Sequence, residues 1–246
     1  MPHPVVFHGV SYRIGGKLIL DRLSFEVPAG ETLVLLGRSG SGKTTALKMV
    51  NALLFPTSGE VLVDGKPTMQ WDLIRLRRSI GYVIQETGLF PHFTIERNVG
   101  LVPALEHWPA DRIKNRSTEL LQQVGLNPGD YLTRYPRQLS GGQRQRVGVA
   151  RALAADPKIL LFDEPFGAVD PVTRFELQNQ FLDLRRGIGK TSIFVTHDVR
   201  EALRIGSRIG LLHNGRMEVL AAPNEFMNAG TPEAHAFLAG LEAPLV

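Results

Sequence analysis

The feature that most constrains this chain is a glycine-rich segment that matches the pattern G-x-x-x-x-G-K-[ST] in full, Gly37-Arg38-Ser39-Gly40-Ser41-Gly42-Lys43-Thr44. The apolar run Thr32 to Leu36 precedes the segment, and a stretch of helical character, Thr45 to Leu53, follows it. Glycine allows the backbone of such a loop to curl so that successive N–H groups point inward. The sequence therefore predicts a buried strand, a tight loop and a helix in direct succession.

The same loop predicts an anionic ligand. Inward-pointing N–H groups and the positive end of the following helix dipole bind phosphate oxygens. We expect residues 37–44 and the adjoining Thr45 to hold the phosphates of a nucleotide. In this arrangement Lys43 reaches the β- and γ-phosphates, and the Thr44 hydroxyl is a ligand of Mg²⁺.

The rest of the chain alternates between strand and helix patterns. The predicted strands, besides Thr32–Leu36, are Val5–Ile14, Leu18–Val27, Val61–Val63, Tyr82–Ile84, Ile159–Phe162, Ile193–Thr196, Arg208–Leu212 and Arg216–Leu220. The predicted helices beyond the first are Arg112–Val124, Gly142–Ala155 and Pro171–Arg186. Turn signals join the early strands as hairpins, whereas strand, helix and strand in the second half imply right-handed crossovers and a parallel sheet.

These elements predict an α/β fold. It comprises a P-loop NTPase core with a mixed, mostly parallel sheet, an N-terminal antiparallel β subdomain and an inserted α-helical subdomain. We expect one domain, in which residues 1–90 and 154–225 form the core with the antiparallel subdomain. Residues 91–153 are then the helical insertion, and residues 226–246 are a C-terminal extension.

Two acidic residues, Asp163 and Glu164, directly follow the apolar run Ile159 to Phe162. Ligands of parallel α/β sheets gather at the carboxyl ends of the strands, where Lys43 is also expected. We therefore expect Asp163 to hold Mg²⁺, directly or through water. Glu164 is then in a position to orient and deprotonate an attacking water molecule.

Composition excludes several classes of protein. The net charge is only +4, and the arginine clusters near residues 75–78 and 144–151 lack the interleaved aromatic rings of a nucleic-acid platform, so we expect no nucleic-acid partner. The absence of cysteine excludes disulfides and thiolate metal sites. Apolar runs are about four residues long, against the ~20 that a spanning helix needs, and the N-terminus does not resemble a secretory signal. Membrane association is thus expected through a partner.

The segment Leu139-Ser140-Gly141-Gly142-Gln143 matches the signature motif of ABC transporter ATP-binding subunits, and the chain resembles this family from about residue 5 to residue 225. Three further elements resemble family motifs in the expected order. They are the Q-loop glutamine Gln85, the D-loop Gly167-Ala168-Val169-Asp170 and the switch histidine His197.

The resemblance implies an ATPase that uses ATP and Mg²⁺ and works as a dimer. The signature residues of one subunit, Ser140, Gly141, Gly142 and Gln143, would close over the γ-phosphate held by the other subunit, in a head-to-tail pairing with twofold symmetry. Glu164, His197 and Gln85 would be the catalytic residues. The metal ligands would be Thr44, Gln85 and Asp163.

The resemblance also implies the partners and the location. The chain is expected to form a homodimer, or to pair with a homologous ATPase subunit, at the cytoplasmic face of the membrane, on integral permease subunits that work with an extracytoplasmic solute-binding protein. The contact is expected near Gln85 and along Glu86 to Asn98, with Leu89, Phe90 and Phe93 as apolar anchors and Glu96 and Arg97 as a charged rim. The alternative is that Phe90 and Phe93 pack in the core of the insertion itself.

Two stretches, residues 77–85 and residues 88–94, resemble importers of quaternary-amine osmoprotectants such as glycine betaine, choline and carnitine. Import of another small polar solute, such as amino acids or inorganic anions, is the alternative. Because the sequence ends at Val246, we expect it to lack the paired regulatory domains of many larger members.

The residue that contacts adenine is left open by the sequence. Alignment with the family puts Ile14 where an aromatic ring normally stacks on the base, and Tyr12 lies two residues earlier on the same strand face. Either Tyr12 reaches the base or Ile14 forms an apolar platform.

Overall fold

The computed structural model describes residues 3–85, 88–167 and 170–242, with the side chains of residues 184–188 and 242 left out. The chain divides into two compact units. The first unit consists of residues 1–77 and 191–246, and the second consists of residues 78–190.

The elements follow one another in mixed order. The strands are β1 (Val5–Ile14), β2 (Lys17–Val27), β3 (Thr32–Leu36), β4 (Ser58–Val63), β5 (Lys66–Pro67), β6 (Ile80–Val83), β7 (Ile159–Asp163), β8 (Thr191–Thr196), β9 (Arg208–His213) and β10 (Arg216–Ala221). The α-helices are α1 (Lys43–Val50), α2 (Leu73–Ser79), α3 (Ile95–Val99), α4 (Leu101–Leu105), α5 (Ala110–Gln123), α6 (Pro128–Tyr131), α7 (Gly141–Leu153), α8 (Pro171–Ile188), α9 (Val199–Ile205), α10 (Pro223–Phe226) and α11 (Pro232–Glu242).

An antiparallel sheet of order β2-β1-β4-β5 lies in the first unit. Val5 pairs with Val27 on one side and with Val63 on the other, so alternate side chains of β1 face a common apolar layer. In that layer Phe7 and Phe25 stack with their ring centroids 4.4 Å apart. The predicted antiparallel N-terminal sheet is thereby confirmed.

Parallel strands in the same unit bring three loops to one edge. Strand β3 pairs in parallel with both β8 and β9, and β10 pairs antiparallel with β9. All five residues of β3 and all six of β8 are buried, as expected of strands covered on both faces. Leu36 lies opposite Thr196 and Leu211, so the segments that follow these strands begin side by side.

The second unit contains the parallel pair β6 and β7, in which Val83 lies opposite Phe162. Helix α7 packs against β6, α3, α5 and α8. The ring of Phe162 meets that of Phe181 edge-on, with centroids 5.0 Å apart. The segments after β6 and β7 therefore also share an edge.

The predicted α/β class with mixed sheets is confirmed, and the ends of the predicted strands lie within three residues of the observed ends. Helix α1 begins at Lys43 rather than Thr45, because Gly42 is its N-cap. Helices α2, α9, α10 and α11 were not predicted. The two units divide after residues 77 and 190. The predicted subdomain boundaries near residues 90, 154 and 225 stay a prediction. Within the described residues, no helix has both the length and the apolarity to cross a membrane.

Candidate functional site

The glycine-rich loop in the first unit has the backbone that the sequence predicts. Gly40 and Gly42 have positive φ angles of 80° and 104°, a region that favours glycine. A Cβ atom at Gly42 would lie 2.6 Å from Leu20 Cδ2, so no side chain fits there without movement of Leu20. The loop thus turns tightly from β3 into the first turn of α1.

The side chain of Lys43 lies inside this loop and is only 4% exposed. Its Nζ donates hydrogen bonds to the carbonyl oxygens of Gly37 at 2.7 Å and Arg38 at 2.9 Å. These contacts hold the ammonium group close to the loop's own backbone. Thr44 and Thr45, which follow in α1, are half-buried.

Two features of the loop suit a bound phosphate group. Space beside the Cα atom of Gly40 is open to at least 4 Å, so the backbone can be approached closely. The Ser41 hydroxyl is buried and has no hydrogen-bond partner within the described residues. A buried polar group without a partner costs about 1–3 kcal/mol, which a ligand oxygen at this position would relieve.

His197 follows β8 at the same edge of the sheet and is exposed. The next residue, Asp198, is the N-cap of α9 and accepts hydrogen bonds from the N–H groups of Arg200 and Glu201. This cap fixes the backbone immediately after His197. The first unit therefore brings the glycine-rich loop and His197 to neighbouring strand ends.

Asp163 ends β7 in the second unit and is 8% exposed. The hydroxyl of Tyr82, on the neighbouring strand β6, donates a hydrogen bond to Asp163 Oδ2 at 3.3 Å. Burial, and then the negative charge of Asp163, raise the pKa of Tyr82 well above its usual value. Tyr82 therefore stays protonated and orients the carboxylate. This role could not be predicted from the sequence, because it depends on the register of β6 and β7.

Glu164 has a positive φ of 44°, which is uncommon for a residue with a side chain and costs free energy. Its carbonyl oxygen accepts a hydrogen bond from the N–H of Gly167 at 3.1 Å. A Cβ atom at Gly167 would lie 3.8 Å from Glu164 Oε2 and 3.8 Å from Gln85 Nε2. The second unit thus brings the ends of the Glu164 and Gln85 side chains to the same turn.

The signature segment forms the N-terminus of α7, also in the second unit. Ser140 Oγ accepts a hydrogen bond from Gln143 N at 3.2 Å, and Gln143 Oε1 accepts one from Ser140 N at 2.9 Å, which is a capping box. Gly141 and Gly142 lie in the first turn, where no helical carbonyl precedes their N–H groups. A Cβ at Gly142 would lie 2.5 Å from Thr173 Cγ2, so this glycine allows α7 and α8 to approach closely.

The predicted D-loop is described only at its two ends, since Ala168 and Val169 lie outside the described residues. Asp170 Oδ1 accepts a hydrogen bond from Thr173 N at 3.0 Å. Hydrogen bonds from Thr173 lower the pKa of Asp170 below its usual value. Asp170 is therefore ionised at neutral pH and stabilises the start of α8.

The predicted metal ligands are divided between the units, with Thr44 in the first and Gln85 and Asp163 in the second. Among the residues that the structure describes, no group of three or more His, Asp or Glu side chains could hold a metal ion by itself. Mg²⁺ usually takes one or two protein ligands together with phosphate oxygens and water. The Thr44 hydroxyl in the first unit and, separately, the Asp163 carboxylate in the second are oxygen donors of the kind that Mg²⁺ binds.

The two candidates for adenine contact differ in exposure. Ile14 ends β1 opposite Lys17 and is 60% exposed, whereas Tyr12 lies opposite Leu20 and is half-buried. Both lie in the first unit. Which of the two contacts a base stays a prediction.

The predicted docking segment is described from Gly88 onward, and Glu86 and Thr87 lie outside the described residues. Phe90 is 46% exposed and stacks on Phe93 with ring centroids 5.2 Å apart, and Arg97 lies 3.8 Å over the Phe93 ring. The buried Asn98 side chain donates to the carbonyl oxygens of Phe90 and Phe93 and accepts from the Phe90 N–H. Phe90 is therefore held at the surface rather than in the core of this unit.

The sequence matches the family described as ABC transporter over residues 20–167. It is 52% identical over 208 residues to the osmoprotectant import ATP-binding protein OsmV of Salmonella typhimurium, covering 85% of this chain and 54% of that protein. It is also 49% identical over 213 residues to the glycine betaine/carnitine/choline transport ATP-binding protein OpuCA of Bacillus subtilis, covering 87% of this chain and 56% of that protein. The chain thus spans about half the length of these relatives.

A solved structure agrees with this match. The fold resembles that of the ATP-binding cassette MJ0796, solved as a dimer in a post-hydrolysis state bound to ADP and Pi. The TM-score is 0.79 and the identity is 35%, and the match covers 89% of this chain and 98% of that chain. This similarity confirms the predicted P-loop NTPase fold.

Proposed function

Because this chain belongs to the ABC transporter family, we propose that it is an ATP-binding subunit that hydrolyses ATP to drive import of glycine betaine or a related quaternary amine. The observation that carries the proposal is the interior of the glycine-rich loop. There the Lys43 side chain is buried, the Ser41 hydroxyl has no hydrogen-bond partner within the described residues, and the space beside Gly40 is open.

The first unit would bind the phosphates. The N–H groups of residues 37–45 donate to the phosphate oxygens, and Lys43 supplies the positive charge that backbone donors lack. The Thr44 hydroxyl would hold Mg²⁺, which neutralises the charge on the β- and γ-phosphates when it is bound. His197, at the neighbouring strand end, would contact the γ-phosphate.

The second unit would supply the reacting groups. Glu164 would accept a proton from the attacking water, and Gln85 would help to hold that water and Mg²⁺. Asp163 would be a ligand of Mg²⁺, and its carboxylate is kept in one orientation by the Tyr82 hydroxyl 3.3 Å away. Tyr82 and Asp163 lie in the parallel strands β6 and β7, and Gln85 and Glu164 follow the ends of these strands. The pairing of the two strands therefore fixes the spacing of the four residues.

The second phosphate contact would come from another subunit. Ser140, Gly141, Gly142 and Gln143 form a helix N-terminus. The N–H groups of Ser140 and Gln143 donate within the capping box, and those of Gly141 and Gly142, in the first turn, suit a γ-phosphate. This segment has neither a lysine nor a metal ligand. Head-to-tail pairing of two copies, or of this chain with a homologous subunit, would complete two sites. The dimeric cassette with ADP and Pi supports this arrangement.

The assignment of the solute and of the remaining partners is inferred from the names of the similar proteins. Both bear names of osmoprotectant or quaternary-amine transport, at 52% and 49% identity. We therefore infer permease subunits in the membrane and an extracytoplasmic solute-binding protein, with this chain peripheral on the cytoplasmic face. The docking surface for the permease would consist of the apolar anchors Leu89, Phe90 and Phe93 and the charged rim Glu96 and Arg97. Residues 91–153 would act as the helical subdomain that carries the signature.

Nucleotide binding by Lys43→Ala tests the proposal. We expect the variant to lose measurable MgATP affinity in a titration with a fluorescent ATP analogue, because the phosphates lose their point charge. The matched control is Lys48→Ala, which removes a half-buried charge from the same helix outside the loop and should bind normally. If Lys43→Ala bound MgATP with unchanged affinity, the proposed role of the loop in nucleotide binding would be wrong.

A further inference from the structure

The phosphate loop has an ionic contact that its own motif does not require. Arg38, the second residue of the loop, donates from Nε to Glu233 Oε1 at 2.6 Å. The other carboxylate oxygen, Glu233 Oε2, lies 3.3 Å from His213 Nδ1. Arg38 is 67% exposed, whereas Glu233 is 10% exposed. All three residues belong to the first unit, so the contact joins the loop to the C-terminal part of that unit.

Glu233 is held on a fixed support. It lies in the first turn of α11, where the hydroxyl of Thr231 accepts a hydrogen bond from Ala234 N at 3.2 Å. Ala234 is fully buried, and α11 packs against α9. Near the other end of α11 the Leu241 carbonyl accepts a hydrogen bond from Arg200 at 3.1 Å. The backbone that carries Glu233 is therefore held in place by the packing and hydrogen bonds of α11.

Arg38 is also bound to the functional lysine. Its carbonyl oxygen accepts a hydrogen bond from Lys43 Nζ at 2.9 Å. The same residue is thus anchored by its side chain to α11 and by its main chain to the ammonium group. Further contacts from the C-terminal hairpin reach the loop, because the Gly215 N–H donates to the Ser41 carbonyl at 3.2 Å.

We propose that Glu233 is a positioning residue for nucleotide binding, which acts on Lys43 through Arg38. The carboxylate fixes the side chain of Arg38 and thereby the carbonyl that orients the ammonium group. The inference rests on the proposed nucleotide-binding function of the loop. Loss of the contact leaves Lys43 present but less well ordered, so it weakens binding of MgATP without removing a reacting group.

The test compares Glu233→Gln with Glu218→Gln in the full-length chain. Glu218 is an exposed residue of β10 in the same unit, so its substitution makes the same change of charge. We expect Glu233→Gln to raise the Kd and the KM for MgATP about three- to tenfold while kcat changes less than twofold. Glu218→Gln should keep wild-type values.

Arg38 tests the route of the effect. Arg38→Met should raise the Kd by a similar factor, and adding Glu233→Gln to Arg38→Met should have no further effect. A thermal melt would reveal whether Glu233→Gln folds. If it does not, the Kd of Arg38→Met for MgATP still tests the inference.

Three results would overturn the inference. They are an unchanged Kd in Glu233→Gln, a fall in kcat alone, and a further loss in the double variant relative to Arg38→Met. Failure of the wild type itself to bind MgATP is a distinct outcome, because it refutes the proposed function on which the inference depends.

Discussion

Two substitutions in the phosphate loop, Gly42→Ala and Gly40→Ala, separate the free-energy cost of backbone strain from the cost of steric overlap. Both residues have positive φ angles, 104° for Gly42 and 80° for Gly40. A side chain in this region of backbone conformation costs about 1–2 kcal/mol. Only Gly42 has neighbours in the way, with Leu20 Cδ2 at 2.6 Å and the Ile19 carbonyl oxygen at 3.1 Å from a Cβ atom.

The expected magnitudes follow from these distances. Gly40→Ala should destabilise the fold by about 1–2 kcal/mol, through backbone strain alone. Gly42→Ala adds the displacement of the fully buried Leu20, and overpacking of this kind costs about 1–3 kcal/mol more. For a chain of this size 1 kcal/mol corresponds to about 2–4 °C in Tm, so Gly42→Ala should lower Tm by several degrees more than Gly40→Ala does.

A thermal melt of both variants, followed by circular dichroism without nucleotide, measures the difference. The comparison cancels the strain that the two sites share. Equal destabilisation would refute the steric argument, and a larger loss in Gly40→Ala would refute the geometry of the loop as well.

Three further predictions concern separate parts of the chain. In calorimetric titrations with MgATP, a Tyr12→Ala variant should bind ATP about 1–3 kcal/mol more weakly if that ring stacks on adenine, whereas Ile14→Tyr should bind more tightly if Ile14 is the platform. Asp156→Asn should lower Tm by about 1–3 °C at pH 7, because the hydrogen bond from Lys190 at 2.7 Å lowers the pKa of this exposed carboxyl. A lowered pKa stabilises fully above the unfolded value of about 4, so the difference in Tm should begin to shrink near that pH and disappear as pH falls through the lower folded pKa. Glu96→Lys should lower glycine betaine uptake by the reconstituted transporter while the isolated subunit keeps its ATPase rate, and unchanged uptake would exclude the docking surface.

The sequence predicts the parts of this molecule that depend on local order. Strand β3, the glycine-rich loop and the signature segment each consist of contiguous residues whose types leave few alternatives, and they are observed where they were predicted. The buried run Ile159 to Phe162 likewise predicts the position of Asp163 at a strand end.

Contacts between distant segments could not be predicted from the sequence. The hydrogen bond from Tyr82 to Asp163 depends on the register of two strands that lie about 80 positions apart. The ion pair of Arg38 with Glu233 joins residues 195 positions apart, and Glu233 lies on a helix with no clear periodic pattern. Exposure of Phe90 also follows from the hydrogen bonds of Asn98, a residue whose role no motif indicates.

The turnover of Glu164→Gln tests the central claim most directly, that this chain hydrolyses ATP with Glu164 as the general base. The amide keeps the size of the side chain and the backbone at φ 44°, but it cannot accept the proton of water. We expect the variant to bind MgATP with wild-type affinity, to accumulate as a dimer in size-exclusion chromatography, and to release phosphate about 10²–10⁴-fold more slowly than the wild type. Phosphate release at a rate near that of the wild type would contradict the account.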